Sequence, residues 1–269
     1  MTADTRKIKE HYNRISGYYQ SLWSNHIHHG YYKKGNESVE EATHQLLELL
    51  VDRMDINPES AVLDVGCGLG GTSRYVAEHY GCEVTGITIS HEQVRLAREA
   101  ASEMKNRPQF LLKDAHRVEY TSEFDAVFAI EMIAHLDKRP SFFKRVHRAM
   151  KPGRRWGIAA WIKQEGLTSE QEKNIIKPIE EGMIVELPTT GEYFNNITQN
   201  EFDLLYFEDI SDEVSQTWDI TLDIIKNPRL WSLAKEFGTD FIKFLKSFRA
   251  MKKGYQTGCL KYVVMVLEK

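Results

Sequence analysis

The chain has 269 residues, of which 42% are hydrophobic and 28% charged, proportions that are ordinary for a soluble globular protein. Its formal net charge of −4 excludes a global positive field that would recruit nucleic acid or an anionic membrane. Three widely spaced cysteines (Cys67, Cys82 and Cys259), a polar N-terminus and no bilayer-length apolar run predict a cytoplasmic protein without disulfide bonds or a membrane span.

Tyrosine, histidine and tryptophan are concentrated in residues 4–32. The spacing of Ile8, Tyr12 and Ile15 predicts an amphipathic helix within this segment. Such a segment ahead of a nucleotide-binding fold is either a lid or pocket wall, or a stretch whose aromatic side chains only pack it onto the core. The pattern alone favours neither reading.

Strand and helix patterns alternate through the following residues. A helix is predicted over 38–54, where Ser38 and Glu41 have the spacing of a capping box. This alternation with short loops predicts a doubly wound, mainly parallel sheet. The predicted strands are 61–65, 83–89, 109–112, 124–130, 156–161, 202–210 and 259–268, and the predicted helices are 72–80, 90–104 and 139–150, with irregular helix over 163–188 and further helical material over 211–251.

A glycine-rich turn, Asp64-Val-Gly-Cys-Gly-Leu-Gly-Gly71, follows the first predicted strand. Such a turn places a ligand against bare backbone and beside a helix N-terminus. The glycines match the dinucleotide fingerprint, but that match alone is weak. Asp64 precedes the first glycine, and the second strand ends in Gly86-Ile-Thr-Ile-Ser90 without the acid that would bind an adenosine ribose. Both features argue against a nicotinamide dinucleotide.

The same turn resembles motif I of class I S-adenosylmethionine (SAM)-dependent methyltransferases. Gly86 to Gln93 is similar to a Gly-(Ile/Leu)-Thr-Leu-Ser-x-x-Gln variant of that family, and Asp114-Ala115 is similar to its adenine-contacting pair. The resemblance implies SAM as cofactor and S-adenosylhomocysteine (SAH) as product. It also implies the cofactor-binding residues Tyr12, Asp64, Gly66, Gly68, Gly70, Thr88, Ile89, Gln93, Asp114, Ala115 and Ile130.

Essentially the whole chain resembles the gamma-tocopherol C-methyltransferase group of natural-product methyltransferases. The likeness lies in Tyr12-Asn-Arg-Ile-Ser-Gly17, in the stretch from Trp23 to Tyr32, and in that from Met251 to Tyr262. It implies an α/β fold, a Rossmann-like seven-stranded methyltransferase sheet with helices on both faces, plus a helical N-terminal lid and a helical cap insertion. The implied domains are a lid (1–37), a SAM-binding core (38–162), a cap and acceptor-binding region (163–258) that includes the late core strand at about 202–210, and a final core strand (259–269).

The acceptor does not carry over with the fold. Asn13 and Ser24 replace the Asp and Gly of the group, and Glu131-Met-Ile-Ala-His135 replaces its Glu-Ser-Gly-Glu-His. Relatives in the group also methylate alkaloid nitrogens and polyprenyl diphosphates. We expect C-methylation of a small, largely apolar aromatic or prenylated acceptor. The alternatives are N-methylation of an indole alkaloid or amine, O- or carboxyl methylation of a secondary metabolite, a SAM-binding scaffold without turnover, and a macromolecule modifier.

A nucleic-acid acceptor is disfavoured because the chain has no basic stripe and no Asn/Asp-Pro-Pro-Tyr-like loop after the fourth strand. The expected partner is therefore a small molecule, bound by a monomer or homodimer. Trp156, Trp161, Trp218 and Trp231 are predicted to pack the core or cap rather than to form a cation–π box.

Candidate catalytic residues follow the fourth strand, at the sheet edge where ligands bind α/β folds. We predict that His135 or Glu131 orients or deprotonates the acceptor, the alternative for His135 being to cap its own loop. No carboxylate or cysteine lies at ligand spacing from the histidines at 26, 28 and 29, so no metal site is predicted. The residues predicted to contact the acceptor are Tyr18, Trp23, His26 and His28.

Overall fold

Parallel pairing of the first five strands builds most of a seven-stranded sheet with the order β3-β2-β1-β4-β5-β7-β6. The last strand, β7, runs antiparallel between β5 and β6. The predicted methyltransferase sheet is therefore confirmed, with a mixed rather than wholly parallel far edge. The strands are β1 Ala61–Val65, β2 Glu83–Thr88, β3 Gln109–Leu112, β4 Phe124–Ile130, β5 Met150–Lys163, β6 Asp203–Asp209 and β7 Leu260–Glu268.

The structure is a computed structural model that describes residues 5–22, 28–227, 230 and 237–269, without the side chains of 19–22. Among the helices described, none is both long enough and apolar enough to cross a bilayer. The helices are α1 Thr5–Leu22, α2 Val39–Val51, α3 Gly71–Tyr80, α4 His91–Ala100, α5 Arg139–Ala149, α6 Ser169–Gln171, a π-helix Glu172–Ile176, α7 Lys177–Met183, α8 Thr190–Gln199, α9 Ser211–Ile224 and α10 Thr239–Thr257, with 3₁₀ turns at Ala115–Arg117 and Ile133–His135.

Local capping signals set where several helices begin. The Ser38 hydroxyl accepts the Glu41 backbone N–H, and the Glu41 carboxylate accepts the Ser38 N–H, so the predicted capping box is present. Ser90 caps α4 in the same way, by accepting the N–H of Gln93. These hydrogen bonds satisfy N–H groups that would otherwise lack a partner in the first turn.

The sheet separates two apolar layers. Strand β4 is buried along its length between β1 and β5, as predicted for a central parallel strand. On one face Trp156 is fully buried against Phe143 and Phe202, with ring centroids 4.7 and 5.4 Å away. The other layer joins the sheet to α2, α9 and α10. This arrangement leaves the carboxyl ends of β1 to β4 free to build a site.

Strand β5 begins earlier than predicted. Residues 151–153 were expected to end the preceding helix in a loop, but α5 stops at Ala149 and β5 starts at Met150. Phe124 pairs with Met150, whereas Ala126 pairs with Arg155, so the strand contains a bulge that absorbs the intervening residues. A proline at such a bulge removes no ladder hydrogen bond, which explains why it does not end the strand.

Helix α8 is absent from the prediction, although Thr189 and Glu192 form a capping box at its start. Its buried Tyr193 and Ile197 pack into the layer that contains Phe143 and Trp156. The sequence signal for this helix is the Thr-x-x-Glu spacing, because its apolar face is too short to give a clear period. α8 thus supports the sheet rather than covering the carboxyl ends of the strands.

Replacing Ile197 by Ala is expected to lower the free energy of unfolding by about 2–5 kcal/mol, because it leaves a void against the sheet. Urea unfolding followed by circular dichroism measures the change. Thr198→Ala on the exposed face of the same helix is the matched control, with an expected change within about 0.5 kcal/mol. Equal effects of the two substitutions would contradict the packing of α8 onto the core.

Candidate active site

One cavity opens at the carboxyl ends of β1 to β4, between the sheet and helices α1, α9 and α10. One half of it is built from loops that follow the strands, and the other half from apolar side chains of the three helices. Ligands of open α/β folds bind at this edge because the loops there converge. The cavity is therefore the candidate active site.

The glycine turn is shaped by backbone geometry that other residues adopt poorly. Gly66 has φ +76°, and a Cβ built on it would lie 2.6 Å from the Cβ of Met132. The N–H groups of Gly66 and Cys67 both donate to the Ile87 carbonyl, at 2.9 and 3.1 Å, which fixes the turn against β2. Gly70 does not line the cavity; it precedes α3 at φ +75°, where a Cβ would lie 2.5 Å from the Phe110 ring.

Asp64 lies beneath the turn and is almost fully buried. The Ser73 hydroxyl donates to its carboxylate at 2.6 Å. Burial raises the pKa of Asp64 to about 6 even though this hydrogen bond lowers it. The group is therefore mostly ionised at neutral pH and places negative charge at the floor of the glycine half of the cavity.

The loops after β2 and β3 form the remainder of this half. The Thr88 hydroxyl donates to Gln93 Oε1 at 2.6 Å, which ties the end of β2 to the first turn of α4. Asp114 caps the short turn after β3 by accepting the His116 backbone N–H at 2.9 Å. His116 also contacts the carboxylates of Asp114 and Asp137, at 2.9 and 2.8 Å. This imidazole links the loop after β3 to the loop after β4.

Helix α1 is attached to this half through Asn13. The Ser90 hydroxyl donates to Asn13 Oδ1 at 2.8 Å, while the same hydroxyl caps α4. An Asp at this position would accept the same hydrogen bond, so its replacement by Asn keeps the contact. The N-terminal helix therefore lies over the cavity and contacts the loop that carries Thr88.

Tyr12 and His135 form a hydrogen-bonded pair in the cavity wall. His135 Nδ1 lies 2.9 Å from the Ile184 carbonyl, which can only accept, so Nδ1 carries the proton. Nε2 is then an acceptor, and the Tyr12 hydroxyl, 3.1 Å away, donates to it. Burial lowers the pKa of His135 against the opposing effects of the Ile184 carbonyl and Glu131. His135 is a neutral base with one lone pair directed at Tyr12.

Glu131 follows β4 in the left-handed region, with φ +53°. A non-glycine residue in that conformation is strained and is kept there by its surroundings. One carboxylate oxygen, Oε1, accepts three hydrogen bonds: from the His29 backbone N–H at 2.7 Å, from His29 Nδ1 at 3.0 Å and from the Tyr262 hydroxyl at 2.8 Å. The carboxylate thus joins the N-terminal segment to the last strand.

The buried Glu131 carboxylate carries a negative charge. Burial raises the pKa of Glu131, but the His29 ring and its backbone N–H more than offset this, so the pKa lies below the ordinary value. The same charge adds to burial in raising the pKa of Tyr262 well above its ordinary value. Tyr262 therefore stays protonated and can only donate to the carboxylate.

His29 lies at the centre of a buried hydrogen-bonded cluster, whereas the sequence pattern raised it only as a possible metal ligand. Trp218 Nε1, which is only a donor, lies 2.7 Å from His29 Nε2, so that nitrogen accepts and Nδ1–H donates to Glu131. The Trp161 ring packs edge-on against the imidazole, with centroids 5.7 Å apart, and the Tyr255 ring lies at 6.0 Å. These contacts form only when α9, α10 and β5 are brought together in the folded chain.

The second half of the cavity is apolar. Helices α9 and α10 contribute Trp218 and a run of phenylalanines, and α1 contributes isoleucine side chains. Among the described lining residues, Lys113 is the one lysine or arginine, and it lies beside Asp114 in the half that follows the strands. The apolar lining consists of Ile8, Ile15, Met183, Ile224, Ile225, Leu230, Phe241, Phe244, Leu245 and Phe248.

The structure brings most of the predicted site residues to this cavity. Every predicted cofactor residue except Gly70 lines it, as do His135, Glu131, Tyr18 and His28. Tyr18 is 38% exposed at the rim, and Trp23 and His26 lie outside the described residues. Trp156, Trp161 and Trp218 are buried in the apolar layers, as predicted, and the last two also line the cavity. Trp231 lies outside the described residues.

The residues present fit SAM. The glycine turn leaves bare backbone where a Cβ would collide, and the acids that line the cavity, Asp64, Asp114 and Glu131, suit a ligand with a sulfonium and an ammonium group. No arginine is among the described residues that line the cavity, so none is placed there for a pyrophosphate. Within the described part of the chain, no group of three or more His, Cys, Asp or Glu side chains is arranged to hold a metal.

Comparisons with known proteins show which family the chain is similar to. A family model described as mycolic acid cyclopropane synthetase matches residues 1–261. The chloroplastic tocopherol O-methyltransferase of Arabidopsis thaliana is 28% identical over 97% of this chain and 81% of its own length. The 27-O-demethylrifamycin SV methyltransferase of Amycolatopsis mediterranei (strain S699) is 26% identical over 100% of this chain and 99% of its own length. A mycolic acid cyclopropane synthase crystallised with SAH and CTAB shares the fold at 17% identity, with a TM-score of 0.89 over 100% of this chain and 99% of that one.

Replacing Gly66 by Ala is expected to weaken SAM binding about tenfold or more, because the new Cβ meets Met132 and shifts the turn. Isothermal titration calorimetry measures the dissociation constant. Gly153→Ala is the matched control: Gly153 has φ +68° but open space around it, so the backbone strain is similar and SAM binding is unchanged. Unchanged SAM affinity in a folded Gly66→Ala protein would contradict the cofactor role of the turn.

Proposed function

Because the chain belongs to the mycolic acid cyclopropane synthetase family and is a SAM-dependent methyltransferase, we propose that it methylates a carbon atom of a small, neutral, apolar acceptor. The acceptor class is an aromatic or prenylated compound. The observation that carries this proposal is the buried Glu131 carboxylate, whose pKa is lowered, beside the apolar half of the cavity, where the described lining residues include no lysine or arginine. We also propose the domain division expected from the sequence: residues 1–37 form a lid, 163–258 form a cap and acceptor-binding region that includes a late core strand, and 38–162 and 259–269 form the core.

The charge of the chamber favours acceptors that become positive during the reaction. Methylation of an aromatic ring or a double bond moves positive charge onto the acceptor carbon skeleton before a proton leaves. A buried carboxylate stabilises that charge, since electrostatic interactions are strong where water is excluded. The same carboxylate destabilises a phenolate, a carboxylate or a diphosphate in the chamber. O-methylation through an ionised oxygen is therefore disfavoured.

The named relatives support a small-molecule acceptor. One methylates tocopherol according to its name, and another methylates 27-O-demethylrifamycin SV. Both names describe organic compounds with large apolar parts, and the apolar half of this cavity has a lining of the same character. Both names specify oxygen as the methylated atom, so they do not support C-methylation. For this protein the choice of carbon rests on the charge pattern of its own cavity.

Positioning is the main contribution of the chain to the reaction. When bound, SAM supplies an electrophilic methyl group on a cationic sulfonium. The glycine turn and the Thr88–Gln93 pair hold one reactant, while α9 and α10 hold the other and exclude water. Alignment of two bound reactants can supply about 7–11 kcal/mol of the barrier reduction.

A proton leaves the acceptor carbon once the new bond to the methyl group has formed. We infer that the Tyr12 hydroxyl receives this proton while its own proton passes to His135 Nε2, and the C–H electron pair restores the ring or double bond. The Ile184 carbonyl, 2.9 Å from Nδ1, and the Glu131 charge then stabilise the imidazolium. Tyr12 does not ionise, because burial raises the pKa of its hydroxyl far above neutrality.

N-methylation of a neutral amine is the second candidate, because its product also gains positive charge beside Glu131. The Trp161 and Trp218 rings in the lining would stabilise such a cation by cation–π contact. The two candidates differ in their products, since only C-methylation forms a new carbon–carbon bond.

A panel of acceptors with labelled SAM tests the proposed function. We expect methylation of neutral prenylated aromatic compounds, with at least about tenfold lower rates for matched compounds that carry a carboxylate or diphosphate, because Glu131 repels the anion. Mass spectrometry and NMR of the product identify the methylated atom. A phenol with every ring position blocked is the control that accepts methyl only on oxygen; turnover of this control at the full rate would contradict C-methylation.

Replacing His135 by Ala is expected to lower kcat by about 10²–10⁴-fold while leaving SAM affinity nearly unchanged, because the proton acceptor is lost. Tyr12→Phe breaks the relay and is expected to lower kcat in the same direction. The exposed His79 supplies the control His79→Ala, with no expected effect. Equal rates for the wild type and both site variants would remove the pair from the chemistry.

The pH dependence of kcat separates a base from a merely structural His135. The lone pair on Nε2 is available above the lowered pKa of His135, so kcat should fall only below the ordinary histidine value of 6.5. Burial lowers the pKa of His11 to about 3, so this neighbouring ring does not titrate in the same range. Asp64, with its pKa near 6, should affect the KM for SAM instead. His135→Ala should abolish the acid limb of kcat.

A further inference from the structure

Basic residues are segregated on the two helices that enclose the apolar half of the cavity. Helix α1 has four basic residues and one acidic residue, a net charge of +3, and α10 has five and one, a net charge of +4. Together they carry +7 in a chain whose net charge is −4, so the remainder carries −11. Overall composition conceals this separation of charge, so the expectation that the chain has no basic stripe is wrong for these two helices.

The basic side chains lie on the outer faces of both helices. On α10, Lys246, Arg249 and Lys253 recur at helical spacing and are exposed, whereas Phe244 and Phe248 face the cavity. On α1, Lys7 and Arg14 are exposed while Ile8 and Ile15 are buried. Each helix is therefore apolar toward the acceptor and cationic toward solvent.

The two helices meet over the cavity. The ring centroids of His11 on α1 and Phe244 on α10 lie 5.1 Å apart. Two further lysines of α10 pair with neighbouring acids, Lys243 with Glu181 at 3.6 Å and Lys252 with Asp219. In contrast, none of the ion pairs found among the described residues involves Lys246, Arg249, Lys253, Lys7, Lys9 or Arg14. We call these six residues the basic face.

We propose that the basic face docks onto the surface of an anionic lipid bilayer and that the apolar acceptor enters the cavity from that bilayer. This inference rests on the proposed function, because a strongly apolar acceptor partitions into lipid rather than water. Each lysine or arginine near an anionic bilayer contributes about fivefold to binding. The helices that carry the charge also form the wall of the apolar half of the cavity. Docking therefore places this half next to the bilayer that holds the acceptor.

Charge complementarity favours lipid over other polyanions. Nucleic acid recognition uses side chains that read bases or stack on them, and the outer faces of the two helices present mainly lysine and arginine to solvent. An acidic protein would require a shaped complementary surface, whereas a bilayer needs only a net positive face. The bilayer is the one anionic surface that also dissolves the proposed acceptor class.

Vesicle flotation with the full chain tests the docking surface, without SAM and without acceptor. The probes are vesicles of phosphatidylcholine alone and vesicles with about one-third phosphatidylglycerol. The wild type should bind only the anionic vesicles, and raising the salt from about 0.1 M to about 0.5 M should release it. The triple variant Lys246→Gln, Arg249→Gln, Lys253→Gln should bind them about a hundredfold more weakly.

A matched variant distinguishes binding through the basic face from binding that depends only on the net charge of the chain. Lys105→Gln, Lys138→Gln, Lys144→Gln removes the same charge from exposed residues of the core and should bind anionic vesicles like the wild type. Equal binding to neutral and anionic vesicles, no binding to either, or equal loss in both triple variants would overturn the inference. Binding to heparin but not to vesicles would also overturn it.

Because flotation requires no turnover, its result is independent of the acceptor panel. If the protein methylates the acceptor panel but does not bind vesicles, the docking inference fails and the proposed methylation stands. If it binds vesicles but methylates no acceptor, the proposed methylation fails and the docking surface stands. The basic-face triple variant should keep the wild-type kcat on an acceptor presented in solution, since none of its three residues lines the cavity.

Discussion

The structure depends on one buried carboxylate. Glu131 ends the central strand in a strained left-handed conformation, and a single oxygen accepts hydrogen bonds from His29 and Tyr262. A buried carboxylate with fewer donors would either protonate or force the chain to rearrange. The three donors come from the N-terminal segment and the last strand, so the two ends of the chain are joined at the point where the apolar half of the cavity begins.

The same carboxylate determines which chemistry the cavity favours. His29 Nε2 accepts from Trp218, which leaves Nδ1–H to donate to Glu131, and Tyr262 remains a phenol. The charge of Glu131 is therefore held by three hydrogen bonds to one oxygen. Such an environment stabilises positive charge that develops nearby and costs no reorganisation when it does. Methyl transfer from a sulfonium to a neutral acceptor carries positive charge from one half of the cavity to the other.

The helices over the cavity show how one amphipathic pattern serves two environments. In α10 the apolar side chains line the apolar half of the cavity. The exposed lysines and Arg249 lie on the opposite face of the helix. The positive charge of such a helix does not show in the net charge of the chain, because acidic residues elsewhere in the molecule outnumber the basic ones. The −4 net charge excludes a global positive field, but it does not describe the local surface around the cavity.

Local interactions explain what the sequence by itself determined. The glycine turn, the capping box at Ser38 and the buried central strand depend on residues a few positions apart, so these elements and the alternation of strands and helices could be predicted. The cofactor residues were expected from the family resemblance. Residues 12 and 135 were both recognised, but their contact through the Tyr12 hydroxyl was not. The tertiary structure alone decided that His29 lies between Glu131 and Trp218, and that β5 accommodates Pro152 at a bulge. These features depend on contacts between residues more than a hundred positions apart or on strand register. The hydrophobic periodicity of a short segment predicts neither.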